Sequence, residues 1–377
     1  MTLRIGLIGC GNISDIYLIN ARLFRDIALT ACADLNAETA KRQAARYNIA
    51  ARSVKDLLAS EDVDIVLNLT IPEAHAEVSQ SAIEAGKHVY TEKPLATTVA
   101  AGKRLLRAAG ARGLRVGAAP DTVLGASIQE ARRILDAGGI GKPLLGLAAV
   151  QSHGMEHWHP NPGFFFRPGG GPVFDMGPYY LSTLVTLLGP VDSVQAMGQI
   201  GFPERTVTTP ASPLVGQKIN VETLTSAQAL LEFKSGAQVT FLASWDVWKD
   251  GLPPIELYGQ TGSLRVPDPN WFGGDLQIVE GRGEWIAIET GRRRFGAANW
   301  PRDKPQVANY RGIGLADLAR GIKDNRPHRA NGQLALHVVA VMAGILEAAN
   351  KGRRVAIKEG CERPAYLDEQ EAAGLLR

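Results

Sequence analysis

Leu3-Arg4-Ile5-Gly6-Leu7-Ile8-Gly9-Cys10-Gly11-Asn12-Ile13-Ser14 is the stretch that decides the fold. Residues 3–8 form a short apolar run of the kind that becomes a strand buried in a parallel sheet. Two glycines follow, and beyond them Ile16, Ile19, Ala21 and Leu23 keep helical spacing. A strand, a glycine turn and a helix in that order make a dinucleotide-binding fingerprint. Gly9 allows the tight turn. Gly11 lets backbone approach a pyrophosphate, with Asn12 and Ile13 beside it, where a helix start offers free N–H groups and positive potential. Ser14 stands where a third glycine is usual, and it is small enough for close helix–strand packing.

The next acid after a second apolar strand (28–33) is Asp34. Its carboxylate can accept hydrogen bonds from an adenosine ribose, and it would repel a 2′-phosphate, so NAD is expected over NADP. The alternative is a solvated strand-end aspartate, and Arg42 in the following helix (37–47) keeps NADP possible. Ser53 reads as the N-cap of a helix over 54–59. A third apolar strand (63–69) ends in Thr70-Ile71-Pro72-Glu73-Ala74-His75, at the strand end where an open α/β sheet presents ligand residues. Thr70, Pro72 and His75 are therefore candidate cofactor contacts. A helix (76–85) closed by Gly86, a strand (88–91), a helix (97–109) and a strand (115–119) continue the alternation. That order predicts a doubly wound parallel sheet with right-handed crossovers.

Val89-Tyr90-Thr91-Glu92-Lys93-Pro94 closes the fourth strand. Proline restricts the residue before it, so Lys93 sits on a fixed, non-helical backbone at a ligand-bearing strand end. Taken alone, the tripeptide also fits an ordinary strand end with a solvated lysine.

The composition narrows the class. The chain has 377 residues, 45% apolar and 21% charged, with a net charge of +3. That length suits two domains, and that charge argues for neither nucleic acid nor an anionic membrane. Cys10, Cys32 and Cys361 have no paired spacing, so no disulfide framework or zinc knuckle is expected, and a reducing cytoplasm fits. The apolar start is too short for a signal segment, and no stretch is expected to approach a membrane-spanning length.

Gly9-Cys10-Gly11, the run from Asn68 to His75, and Glu92-Lys93-Pro94 together resemble the glucose–fructose oxidoreductase / inositol dehydrogenase / rhizopine-catabolism (Gfo/Idh/MocA) family along the whole chain. The resemblance implies an NAD(P)-dependent oxidoreductase of sugars, inositols and related polyols. It implies that Glu92 and Lys93 border the nicotinamide, that Lys93 lies beside the substrate hydroxyl, and that the Lys93–Pro94 bond is cis. The fold it implies is an N-terminal Rossmann domain (1–120) and a C-terminal α+β domain (121–377) carrying a large, mostly antiparallel open sheet.

The second half of the chain reads accordingly. A helix (127–137) ends at Gly138-Gly139. Strands are expected over 143–151, 191–201, 223–233, 237–247, 255–259, 263–266, 276–280 and 285–289, then helices over 313–323 and 333–349. One face of such a sheet packs on helices, and the other is expected to meet a second copy in a homodimer or homotetramer.

Gly169-Gly170-Gly171-Pro172-Val173-Phe174-Asp175-Met176-Gly177-Pro178-Tyr179-Tyr180 enters a helix that is expected to run to about Leu188. Asp175 and Tyr179, four apart, would share its face. This segment is similar to the family pattern at Asp175, Gly177 and Leu188-Gly189. It departs at Tyr179, where histidine is usual, and at Ser182, where aspartate is common. Some sugar oxidoreductases of the family also carry tyrosine there.

Alcohol oxidation needs a hydride acceptor and a base at one carbon. Tyr179 is the expected acid/base, Lys93 its electrostatic partner, and Asp175 the holder of a sugar hydroxyl or of Lys93. His157 and His159, in the loop His153-Gly154-Met155-Glu156-His157-Trp158-His159, are expected to meet substrate; their spacing in a loop does not make a metal site. Trp245, Asp246, Trp248 and residues 268–270 are second-tier candidates. His337, among apolar residues, is expected to be a satisfied core or interface histidine. Two further readings stay open: an NAD-retaining glycosidase on the same fold, and a non-enzymatic sugar-sensing regulator.

Overall fold

Strand, turn and helix alternate through the first 118 residues because short apolar runs of at most seven residues are separated by helices. A computed structural model describes residues 2–377. Strands β1 (Leu3–Ile8), β2 (Ile27–Ala33), β3 (Ala50–Ala51), β4 (Ile65–Asn68), β5 (His88–Thr91) and β6 (Val116–Ala118) form an all-parallel sheet in the order β3-β2-β1-β4-β5-β6. Helices α1 (Ser14–Asn20), α2 (Ala37–Tyr47), α3 (Val54–Ala59), α4 (His75–Glu84) and α5 (Val99–Gly110) cross over between these strands. Asn36, Ser53 and Thr98 cap α2, α3 and α5 through their side-chain oxygens, satisfying first-turn N–H groups. The strand order reverses between β1 and β4, so the carboxyl ends of these two strands open the crevice where a dinucleotide binds.

The chain leaves this sheet through helix α6 (Ala126–Asp136) and builds a second one. Strands β7 (Pro143–Gln151), β8 (Val191–Gln199), β11 (Ser226–Phe233), β12 (Gln238–Ser244), β13 (Ile255–Gly259), β14 (Gly262–Val266), β15 (Leu276–Glu280), β16 (Ile286–Ile288) and β17 (Val355–Ala356) pair in the order β16-β15-β14-β13-β7-β12-β11-β8-β17. All neighbours are antiparallel except β7 and β12. A separate ribbon joins β9 (Glu204–Thr206) and β10 (Lys218–Asn220). Between β7 and β8 the chain forms two helices, α7 (Gly171–Asp175) and α8 (Gly177–Leu188), and it ends with α9 (Ile313–Lys323), α10 (Gly332–Lys351) and α11 (Glu369–Leu375).

Alternation along β11 divides the large sheet. Ala227, Ala229, Leu231 and Phe233 are buried, whereas Leu230 is 59% exposed. Leu145, Met197 and Tyr258 are exposed as well, and Leu145, Leu230 and Tyr258 border a hollow of about 500 Å³. The buried face packs on α8 and α10 (20 residues), and here one expectation is corrected. By length and composition α10 is apolar enough to cross a membrane, but 72% of its most apolar stretch is buried inside the protein. His337, within α10, is fully buried: Nε2 accepts from the Val191 amide and Nδ1 faces the Glu359 carbonyl. It is the satisfied core histidine that its apolar neighbours imply.

Candidate active site

Gly9 has φ +99°, and a Cβ there would lie 2.6 Å from the Leu69 carbonyl oxygen. Only glycine fits a turn pressed this closely against the end of β4. Gly11 has open space where its Cβ would be, leaving room for a phosphate to reach the backbone. Ser14 uses the place of the third glycine: its hydroxyl donates to the Gly11 carbonyl (2.6 Å) and accepts from Gln43 of α2 (2.9 Å). Asp34 accepts from the backbone amides of Cys10 (2.8 Å) and Asn36 (2.9 Å). Its carboxylate is thereby fixed beside the glycine turn. These residues fit a dinucleotide with its pyrophosphate over Gly11 and its ribose at Asp34.

Thr70, Pro72, His75, Glu92 and Lys93 stand at the carboxyl ends of β4 and β5, but not all of them face outward. His75 is 1% exposed. Its Nδ1 faces the Pro94 carbonyl (2.7 Å) and its Nε2 faces that of Thr70 (3.0 Å). Burial holds its pKa below the ordinary histidine value, although both carbonyls favour the protonated ring. His75 is therefore a bracket between the two strand ends, with both ring nitrogens engaged there. Glu92 is also buried: its carboxylate accepts from Tyr17 Oη of α1 (2.8 Å) and from the Lys93 amide (2.8 Å). Its side chain ties the cofactor helix to the Lys93–Pro94 step, whose peptide bond is cis.

The Lys93 side chain is 16% exposed and crosses to the second half of the chain. Its Nζ donates to Asp175 Oδ1 (2.7 Å) and to the Asp175 carbonyl (2.7 Å). That carbonyl is free for a local reason. Pro178 sits in the first turn of α8 and has no N–H to give to the Phe174 carbonyl four residues back, so a continuous helix does not form through it. The expected single helix therefore breaks at Met176, and the Tyr179 amide bonds to the Met176 carbonyl (3.1 Å). In a continuous helix it would have bonded to that of Asp175. Gly170 and Gly171 permit the entry, since a Cβ on Gly170 would lie 2.4 Å from the Phe165 carbonyl and Gly171 has φ +79°. Burial works against the Lys93 charge, but the Asp175 carboxylate outweighs it and the pKa is raised above the ordinary lysine value.

Tyr179 is brought beside Lys93, though not in the way the spacing suggests. Lys93 Nζ lies 5.2 Å from the centre of the Tyr179 ring. The hydroxyl has another neighbour, Arg311, whose Nη2 donates to it at 3.4 Å. No sequence pattern singles out Arg311.

The histidine loop divides. His159 is edge-on to Phe164 and Phe165, at 5.5 and 5.1 Å between ring centres. These phenylalanines line a narrow crevice with Pro72, Lys93, Phe174 and Asp175. Burial lowers the His159 pKa from the ordinary value, and Asp175 partly opposes the shift. His157 is exposed, and among the described residues no hydrogen bond or ring contact joins it to the crevice, so its expected meeting with substrate has no support in the geometry. His153 stacks on Trp248 with ring centres 3.3 Å apart. The loop is held from beneath by Arg205, which pairs with Glu156 (2.8 Å) and Asp246 (2.5 Å). Trp245 is core, 1% exposed. Trp245 and Asp246 thus support the loop through Arg205. Asp268 accepts from the Asn270 amide (3.0 Å), a turn contact, while Asn270 itself holds Arg311.

Comparison with known proteins agrees with this geometry. Residues 3–119 match the oxidoreductase family with an NAD-binding Rossmann fold, and residues 128–265 match the GFO/IDH/MocA C-terminal domain. Inositol 2-dehydrogenase 3 of Saccharopolyspora erythraea is 30% identical over 276 residues, covering 71% of this chain and 74% of that protein. An NAD-binding oxidoreductase from Klebsiella pneumoniae shares the fold with a TM-score of 0.80 at 24% identity, over 95% of this chain and 99% of that one. Levoglucosan dehydrogenase in complex with NADH does so with a TM-score of 0.79 at 20% identity, over 95% and 100%. With both halves of the chain matched, the protein belongs to the Gfo/Idh/MocA family as an NAD(P)-dependent oxidoreductase.

Proposed function

We propose that the protein transfers a hydride between NAD and a CH–OH or ketone group of a sugar, sugar derivative or cyclitol. The observation that carries this reading is the Lys93 ammonium, held by Asp175 beside the Tyr179 ring at the carboxyl ends of the parallel strands. When bound, the nicotinamide supplies the hydride acceptor. The backbone at Gly9, Gly11, Asn12 and Ile13 would face the pyrophosphate, and Asp34 the adenosine ribose, which favours NAD over NADP. Thr70, Pro72 and the Glu92–Lys93 backbone would border the nicotinamide end.

In oxidation the Tyr179 phenolate oxygen takes the proton of the substrate hydroxyl and becomes the phenol; in reduction the phenol returns that proton to the forming alkoxide. Lys93 has one N–H left after its two bonds to Asp175, and it offers this to the substrate oxygen, stabilising charge there. Asp175 acts on Lys93 and holds it in place. His159 and Phe164 would line the substrate side. Sugar chemistry is supported by relatives that are inositol 2-dehydrogenases and by structural neighbours solved with levoglucosan or L-sorbose. The exposed apolar face around Leu145, Met197 and Leu230 is the surface for a homodimer or homotetramer.

The test is a screen of polyols, monosaccharides and anhydrosugars with NAD and NADP, following absorbance of the reduced cofactor. The best substrate is then used with Lys93→Ala and Tyr179→Phe. Each is expected to lose about 100-fold or more in kcat. Full activity in Lys93→Ala would show that the site is wrongly drawn, and no turnover on any polyol would sink the substrate class.

A further inference from the structure

Four arginines are buried among the described residues: Arg132, Arg205, Arg311 and Arg329. Three have carboxylate partners. Arg132 pairs with Asp136 at 2.6 Å, Arg205 with Glu156 at 2.8 Å, and Arg329 with Asp317 at 2.8 Å. Arg311 forms no salt bridge among the described residues. Its guanidinium donates to Asn309 Oδ1 (2.9 Å), Asn270 Oδ1 (2.9 Å), the Asn270 carbonyl (3.4 Å) and the Tyr179 hydroxyl (3.4 Å). Every one of these acceptors is neutral while Tyr179 is a phenol. The carboxylates of Glu92, Asp121 and Asp268 act on the guanidinium only at longer range, and none touches it. A buried charge with no counter-charge in contact is costly, and arginine cannot escape by losing its proton.

Arg311 is also held firmly. Asn20 of α1 donates to the carbonyls of Asn309 and Arg311, both at 3.0 Å. Asp121 accepts from the amides of Gly312 (2.8 Å) and Gly314 (3.0 Å) just beyond it. The segment is thus clamped between the cofactor helix and the chain leaving the parallel sheet. Lys93, by contrast, already has its counter-charge in Asp175.

We propose that Arg311 is a catalytic residue whose missing counter-ion is the Tyr179 phenolate, so that Arg311, and not Lys93, makes the Tyr179 oxygen a competent proton acceptor. This deepens the functional reading above and rests on it. Lys93 is thereby left to serve the substrate oxygen. In oxidation the substrate O–H bond breaks, its proton goes to the Tyr179 oxygen and its hydride to the nicotinamide carbon. In reduction both move back. Arg311 exchanges no atom. Its hydrogen bond to the oxygen shortens and strengthens whenever that oxygen is charged.

The test measures kcat and KM of wild type and Arg311→Ala on the best substrate of the polyol screen. Each is assayed with guanidinium chloride at millimolar concentration and, separately, with sodium chloride at equal ionic strength. Arg311→Ala is expected to lose about 100-fold in kcat with KM little changed. Guanidinium, but not sodium, should restore much of that loss, which a merely structural role would not allow. An active wild type with an unimpaired Arg311→Ala, or a loss that guanidinium leaves untouched, would overturn this inference alone. A wild type silent on every compound would overturn the functional reading and this inference with it. Should Arg311→Ala fail to fold, Arg311→Lys and Arg311→Gln decide the matter. Higher kcat in the lysine variant supports the role of charge, and equal loss in both refutes it.

Discussion

Asp175→Asn removes one charge at nearly constant shape and leaves the Asp175 main-chain carbonyl on Lys93. The lost attraction can be sized from the geometry. Unit charges 2.7 Å apart attract by about 6 kcal/mol at an effective dielectric constant of about 20. Part of that offsets the desolvation of the ammonium, and breaking a buried pair from one side costs about 3–5 kcal/mol. With side chains 16% and 19% exposed, the lower figure applies. The sign with pH follows from the direction of the Lys93 shift. Its pKa in the folded protein is raised above the ordinary 10.5, so the stability the pair contributes is fully present below that value and is lost as pH rises through the raised one. In Asp175→Asn the carboxylate no longer opposes burial, and the Lys93 pKa falls. Two measurements follow. Thermal or denaturant unfolding at neutral pH should show a loss of up to about 3 kcal/mol that shrinks as pH rises, because a neutral Lys93 needs no anion. The pH profile of kcat/KM for NAD reduction should gain a descending limb below about pH 10 that wild type lacks. If the two profiles superimpose and unfolding is unchanged at every pH, Asp175 does not set the charge of Lys93 and the proposed division of roles falls.

Other perturbations test separate links. Asp34→Ser removes the charge that opposes a 2′-phosphate and should raise the NADP/NAD ratio of kcat/KM by about tenfold or more; an unchanged ratio would show that Asp34 does not read the ribose. Pro178→Ala lets α7 and α8 fuse and reclaim the Asp175 carbonyl. It should lower kcat without weakening NAD binding, as followed by cofactor fluorescence, and wild-type kcat would mean that the helix break is incidental. Leu230→Lys places a charge on the open sheet face. Light scattering should then report a smaller species than wild type at equal concentration; identical masses would remove this face as the oligomer contact.

Much of this protein is determined locally and can be read along the chain. Residues 3–8 are apolar and short, Gly9 must adopt a positive φ, and Asn36, Ser53 and Thr98 cap the helices after them. Strand period, turn chemistry and caps act over a few residues, so the doubly wound sheet and the meander after it follow from the sequence. The resemblance at Glu92-Lys93-Pro94 pointed to the lysine, while spacing alone left it an ordinary strand end. Other features wait on tertiary packing, because burial and charge environment depend on residues far apart in sequence. His75 lies in a ligand-bearing loop by sequence, yet it turns inward because two carbonyls wait there. Asp175 and Tyr179 share a helical spacing that Pro178 breaks, and the break hands a carbonyl to a lysine 82 residues away. Arg311 lies 132 residues from Tyr179 in a segment with no motif. Only the packing of that segment on Asn20 and Asp121 puts an unpaired guanidinium against a phenol, and no period or pattern along the chain encodes which charges will end up without partners.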